Sequence, residues 1–161
     1  MALSSIPTHA TDAEVAVRDR IAATDGPHVV HFWAPWCGNS RRELDAWPAF
    51  IERHPDVPIV FVTVWNDGES GADMLAEHGL SVRRNGDEGG TGSGIVEIVQ
   101  RGDGSHEDSE GRRRHFLGLP LTWIPSTWIF HKRGQLAFAM NYGEADADTL
   151  GTLVDATQSM W

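Results

Sequence analysis

One cysteine, Cys37, occurs in 161 residues, so an internal disulfide is excluded and any covalent chemistry at that sulfur involves a second molecule. No segment approaches the roughly 18 consecutive apolar residues of a membrane span. No opening stretch joins basic residues to an apolar run as a secretory leader does. A cytoplasmic protein without a membrane anchor is therefore expected, the alternative being an exported one whose leader is absent from this sequence. Basic residues are also scarce. Thirteen Lys and Arg against 23 Asp and Glu leave a net charge of -10, which repels nucleic acid and argues against it as a partner. The one basic run, Arg112-Arg113-Arg114, follows the acidic stretch Glu107-Asp108-Ser109-Glu110. The offsetting signs predict a solvated loop.

A chain of this length, 40% hydrophobic, suits one domain spanning residues 1–161, and a monomer is expected. Thr11 or Asp12 caps a helix over residues 12–23 with Val15, Val17 and Ile21 to one side, and Asp25-Gly26-Pro27 ends it. The short run His28 to Trp33 is β-branched and aromatic and reads as a buried strand. A second helix is expected from about Cys37 to Arg53, kinked at or just before Pro48. Val57 to Val64 is almost wholly apolar, as in a central strand covered on both faces. Glu69 to His78 predicts a short helix with Met74 and Leu75 inward, ended by Gly79. Residues 81–118 turn polar and glycine-rich and are expected to form a surface insertion, in which only Ile95 to Val99 alternates like a strand. Trp123 to Phe130, a turn at His131 to Gly134 and Gln135 to Met140 predict a β-hairpin. Glu144 to Met160 predicts a closing helix with Leu150, Leu153, Val154 and Thr157 at helical spacing.

Cys37 stands at the expected start of a helix, where free backbone N–H groups and the positive end of the helix dipole favour thiolate over thiol. Ser40, three residues on, shares its face of the first turn and is expected to donate a hydrogen bond to the sulfur. Arg41 and Arg42 are expected to face water. The chain has eight histidines, yet His28 and His31 point to opposite faces of their strand, and no pair has ligand spacing with a cysteine. No metal site and no resident cofactor are expected.

The segment Phe32-Trp-Ala-Pro-Trp-Cys-Gly-Asn-Ser40 resembles the active-site segment of the thioredoxin family, F-W-A-x-W-C-G-x-C, with serine where the second cysteine stands, whether by descent or by replacement. Ile124-Pro125-Ser126-Thr127 resembles that family's cis-proline loop, and Gly143 the glycine before its last helix. The resemblance implies an α/β thioredoxin-like fold, a central mixed sheet flanked by helices, with the long insertion placed before the cis-proline strand. It implies that Cys37 is the nucleophile that attacks a disulfide through a mixed disulfide. Ile124 and Pro125 would hold an extended substrate segment, and Trp36, Gly38 and Asn39 would line the same surface. Glu43 matches an acidic position of the TlpA-like branch. His31 stands where thioredoxins often carry a buried acid that accepts a proton, a role open to a histidine.

The function these features imply is a monothiol thiol-disulfide oxidoreductase. Its client would be a protein carrying a disulfide or a glutathionylated thiol, and glutathione or another external thiol would serve as co-substrate and clear the intermediate. Ser40 cannot resolve the mixed disulfide as a cysteine would. The alternative is a thioredoxin-fold binding or redox-sensing module without turnover, in which the insertion supplies extra contacts. A further similarity, of Cys-Gly-Asn-Ser to the Cys-Gly-x-Ser of monothiol glutaredoxins that hold an iron–sulfur cluster with glutathione, is opposed by the thioredoxin-like Trp-Ala-Pro-Trp before it.

Overall fold

The structure, a computed structural model, describes residues 10–85, 95–102, 107–131, 134–144 and 146–159. The chain opens with α1 (Asp12–Ala23), started by a capping box in which Thr11 and Glu14 satisfy each other's backbone N–H groups. Its buried residues are Ala13, Glu14, Val17 and Ile21, so the inward face runs through Ala13 and Glu14, with Val15 only half-buried at its margin. β1 (His28–Trp33) follows and is buried along its whole length.

The helix expected from Cys37 to Arg53 is divided in three: α2 (Gly38–Glu43), one 3-10 turn (Leu44–Ala46) and α3 (Trp47–Arg53). The break falls just before Pro48, which sits in the first turn of α3, where its missing N–H costs no helical hydrogen bond. β2 (Ile59–Thr63) and α4 (Ala72–Glu77) come next. Leu75 is buried, Met74 half-buried, and Gly79 turns the chain with φ +78°.

Six strands form the main sheet in the order β3 (Arg83–Arg84), β4 (Ile95–Val99), β2, β1, β7 (Ser126–Phe130), β8 (Leu136–Asn141). β1 runs parallel to β2, and β2 parallel to β4, while β7 and β8 are antiparallel to their neighbours. The hairpin turn is tied by the Gly134 amide donating to the His131 carbonyl; Lys132 and Arg133 at its tip lie outside the described residues. The closing helix α5 (Ala147–Ser159) buries Leu150, Val154 and Thr157, with Leu153 at the margin. Met160, expected in that helix, lies outside the described residues.

Each central strand feeds two cores. Val30, Phe32, Val60, Val62, Val96, Ile98, Trp128 and Phe130 face α1. Val29, Trp33, Ile59, Phe61, Ile95 and Ile129 face the layer of Trp47, Phe50, Leu75, Leu150 and Val154.

The stretch 81–118 is not confined to the surface, and the expectation is corrected here. Ile95–Val99 pairs along its whole length with β2 inside the sheet. β5 (His115–Phe116) and β6 (Leu119–Pro120) form a small ribbon. Around that ribbon Phe116, Leu117, Leu119 and Leu121 are buried against the α1-side core. Burying each such side chain contributes roughly 1.5–3 kcal/mol, which holds this polar stretch to the domain. Residues 86–94 and 103–106 of it lie outside the described residues.

Glu97 of β4 fixes the approach to α4. Its carboxylate accepts from the Thr63 hydroxyl and the Gly71 amide, both at 2.7 Å, and from Ser70. Gly71 is thereby pressed onto the segment that leads to Cys37: a Cβ there would lie 2.4 Å from Cζ2 of Trp33 and 2.9 Å from Cγ of Pro35. Gly71→Ala is expected to cost about 1–3 kcal/mol by overpacking, read as a lower midpoint of urea unfolding with an unchanged slope.

Candidate active site

Cys37 is separated from the end of β1 by Ala34, Pro35 and Trp36, stands at the N-cap of α2, and is half-buried against the α1-side core. Its amide donates to the Ala34 carbonyl at 3.1 Å and its carbonyl accepts from the Arg41 amide at 3.0 Å, so the loop Ala34–Cys37 is closed at both ends. Facing it is the loop before β7, where the Ile124–Pro125 peptide is cis. The Sγ of Cys37 lies 4.0 Å from the Ile124 carbonyl oxygen. That approach joins two loops 87 residues apart in sequence, both seated at one end of the sheet because β1 and β7 are paired from His28–Phe130 to Phe32–Ser126.

Trp36 is 47% exposed, and its indole N–H donates to the Trp65 carbonyl at 2.7 Å, so the ring stands as a fixed wall beside the sulfur. Gly38 and Asn39 are half-buried next to it. Asn39 accepts from Arg42 at 3.2 Å. Ile124 and Pro125 are buried at the floor. Trp123, next to Ile124 in the loop before β7, is 57% exposed and its carbonyl accepts from the Ser126 hydroxyl at 2.7 Å.

Ser40 departs from the expectation. It is fully buried, and its Oγ accepts from the Ala34 amide at 3.3 Å; it makes no hydrogen bond to the Cys37 sulfur. The hydroxyl is turned inward because the Ala34 N–H, at the end of a buried strand, needs an acceptor.

His31 is fully buried, its Nδ1 2.8 Å from the Thr127 hydroxyl and its ring against Trp47 and Phe61. Its hydrogen bond goes to Thr127 and not to Cys37. Burial lowers its pKa to about 3, because charging the ring would place a cation among aromatic side chains. The imidazole is therefore neutral at physiological pH, and its contact reaches the cis-proline loop through Thr127 rather than the sulfur.

Glu43, at the end of α2, is 7% exposed. One carboxylate oxygen accepts from the Gly143 amide at 3.4 Å; the other has no hydrogen-bond partner within the protein. Burial raises its pKa to about 7, with Glu144 nearby adding to the rise and the Gly143 N–H opposing it. Gly143 has φ +85°, the left-handed backbone that favours glycine.

Because the folded pKa lies above the unfolded value of 4.5, the folded state is favoured when Glu43 is protonated, and that advantage is lost as pH rises from about 4.5 through about 7. Glu43→Gln is expected to raise the unfolding free energy at pH 8 by about 3 kcal/mol and to change it little at pH 4.5, measured by urea unfolding at both.

The arginine run, expected in solvent, is only partly there. Arg114 pairs with Asp108 at 2.7 Å and Arg112 with Glu110 at 3.2 Å, the local offset the sequence suggests. Arg113 instead enters the protein and meets Glu14 of α1 at 2.6 Å, with only 9% and 1% of the two side chains exposed. The guanidinium of Arg112 lies 5.1 Å from the Trp36 ring centre and 5.4 Å from that of Trp65, and Arg114 lies 4.9 Å from Trp65. A cleft of about 600 Å³ opens beside this stack, from Trp36 to Arg101 and Gly102. Sequence reading missed this part of the site because its partners lie 48 to 99 residues apart. Among the described residues no group of three His, Cys, Asp or Glu is placed to hold a metal ion. No described helix is long and apolar enough to cross a membrane.

No family model matches the chain, and no curated protein matches it. Solved structures do. A secreted Mycobacterium tuberculosis disulfide oxidoreductase, homologous to E. coli DsbE, superposes with a TM-score of 0.55 at 18% identity, covering 83% of each chain. StoA from Bacillus subtilis gives 0.55 at 17% identity, covering 83% of this chain and 85% of its own. A thiol:disulfide interchange protein of the thioredoxin family from Chlorobium tepidum gives 0.56 at 13% identity, covering 88% and 84%. With the mixed sheet, the cis-proline loop opposite Cys37 and these neighbours in agreement, the chain has a thioredoxin-like fold.

Proposed function

We propose that this protein is a thiol-disulfide oxidoreductase of thioredoxin type that works with one cysteine. The observation that carries the reading is the half-buried Cys37 sulfur facing the Ile124 carbonyl across the cis-proline loop, in a chain with no second cysteine. The Cys37 thiolate attacks one sulfur of a disulfide in a client protein, or of a glutathionylated client thiol. A new S–S bond forms to Cys37, the old one breaks, and the departing sulfur leaves as thiolate and takes a proton from solvent. Because Ser40 cannot resolve the intermediate, an external thiol such as glutathione attacks it in turn and regenerates the Cys37 thiolate, itself ending in a disulfide. The client lies extended beside Ile124 and Pro125, between Trp36 and Trp123. Gly38 and Asn39 keep the approach to the sulfur low, and Ser40 pins the loop from within. His31 supports Thr127 behind the cis-proline. Glu43 is half-protonated near neutrality and buffers proton exchange at the end of α2.

The test is exposure to oxidised glutathione followed by mass spectrometry of the intact protein. A glutathione adduct on Cys37 that excess reduced glutathione removes is expected, while Cys37→Ser forms none and its exchange rate falls to the uncatalysed background. An unmodified Cys37 sinks the enzyme reading and leaves a module that binds without turnover.

A further inference from the structure

Resting on that reading, we propose that Arg41 and Arg112 are specificity-determining residues that select a client whose reactive cysteine is flanked by acidic residues. In a chain of net charge -10, the rim of Cys37 is locally basic. Arg41, one helical turn beyond Cys37, is exposed, and its guanidinium donates to the Pro35 carbonyl at 3.4 Å, which folds it back toward the active-site loop. No acidic side chain pairs with Arg41 among the described residues. Arg112 is stacked at 5.1 Å over the ring of Trp36, the residue before Cys37. The cation–aromatic contact holds a guanidinium in place without neutralising it.

Arg112 does share Glu110, at 3.2 Å, with Arg114, at 3.9 Å, so one carboxylate serves two cations there, while Asp108 is engaged by Arg114. The remaining carboxylates of the cleft, Asp67 and Glu107, lie on the side of Gly68 and Gly102. A segment laid along Ile124 with its cysteine at the sulfur therefore has guanidinium groups beside its flanking positions, and these match carboxylates. The rest of the surface acts in the opposite sense and repels an acidic client at long range. The preference consequently reads as a contact effect at this rim, with a sign opposite to that of net charge.

The experiment uses the whole protein and three matched peptides, each with one cysteine as a mixed disulfide with thionitrobenzoate, flanked by glutamate, glutamine or lysine. Exchange at the peptide sulfur links the peptide to Cys37 and releases coloured thionitrobenzoate. Each rate is divided by that of the same peptide with free N-acetylcysteine amide, which removes the intrinsic effect of the flanking charge. At low salt the glutamate peptide is expected to react about tenfold faster than the lysine peptide. The ratio should shrink in high salt and fall to one or below in Arg41→Glu and in Arg112→Glu. Equal rates, or lysine faster than glutamate, overturn the inference while leaving the oxidoreductase reading intact. No release from any peptide, together with no adduct from oxidised glutathione, overturns both.

Discussion

Glu14→Ala is expected to lower the unfolding free energy by about 3–5 kcal/mol, the range for stranding one member of a buried ion pair. The carboxylate is 1% exposed and fully engaged. One oxygen accepts from Arg113 at 2.6 Å and from the Thr11 amide and hydroxyl at 3.1 and 3.2 Å; the other accepts from the Leu117 amide at 2.6 Å. Removing it leaves the Arg113 cation and the Leu117 N–H without this acceptor in a region that excludes water. It also removes half of the capping box of α1. The effect should reach the candidate site, since the Trp65 indole N–H donates to the Arg113 carbonyl at 3.0 Å and the Trp36 indole N–H donates to the Trp65 carbonyl. Urea unfolding checks the stability, and limited proteolysis in residues 107–118, expected to accelerate in the variant, checks the route. A loss below about 1 kcal/mol, the value of an exposed pair, would show that this pair contributes no more than a surface contact.

Acid should unfold the protein through two histidines rather than through its carboxylates alone. His28 and His31 are buried, and desolvation lowers both pKa values to about 3, with Arg20 adding to the effect at His28. A base whose folded pKa is depressed contributes stability that is present above its unfolded pKa, near 6.5, and is lost as pH falls toward about 3. Glu43 acts in the opposite sense between about 4.5 and about 7. From about pH 6.5 to 4.5 the unfolded chain thus binds one more proton than the folded one, and below about 4.5 two more. The slope of unfolding free energy against pH should be about 1.4 kcal/mol per unit in the upper window and about 2.7 in the lower. The total loss by pH 3 is then on the order of 5 kcal/mol, a large share of the stability of a domain this size. Urea titrations at half-unit intervals give the slopes. His28→Gln should remove about one proton's worth from both windows. A profile flat down to pH 4 would mean that the folded state takes up protons on these rings as readily as the unfolded chain.

The expected elements that held are those built from local pattern. Thr11 and Glu14 stand three apart with a helical run behind them, and they cap α1 as such spacing demands. His28 to Trp33 and Val57 to Val64 are runs no exposed segment would carry; the first is a strand of the sheet interior throughout and the second supplies one over Ile59–Thr63. The reading failed where side chains answer to distant partners. Ser40 was expected at the sulfur, yet the unsatisfied Ala34 amide claims it. The polar stretch 81–118 reads as a surface insertion with one strand-like patch, Ile95 to Val99, and its alternation does not say where that patch pairs; β2 offers the open parallel edge that takes it into the sheet.

One cysteine after Trp-Ala-Pro-Trp, a proline after Ile124 and the absence of a second thiol are legible along the chain. These are covalent facts and short-range backbone preferences, which need no tertiary context to be read. Which groups surround the sulfur depends on how the folded chain brings distant segments together. Folding set Ile124 at 4.0 Å, turned Ser40 away, kept His31 neutral and drew Arg112 onto Trp36. The physical reason is that burial, hydrogen-bond satisfaction and charge pairing act through space, between residues whose separation along the chain says nothing of their distance.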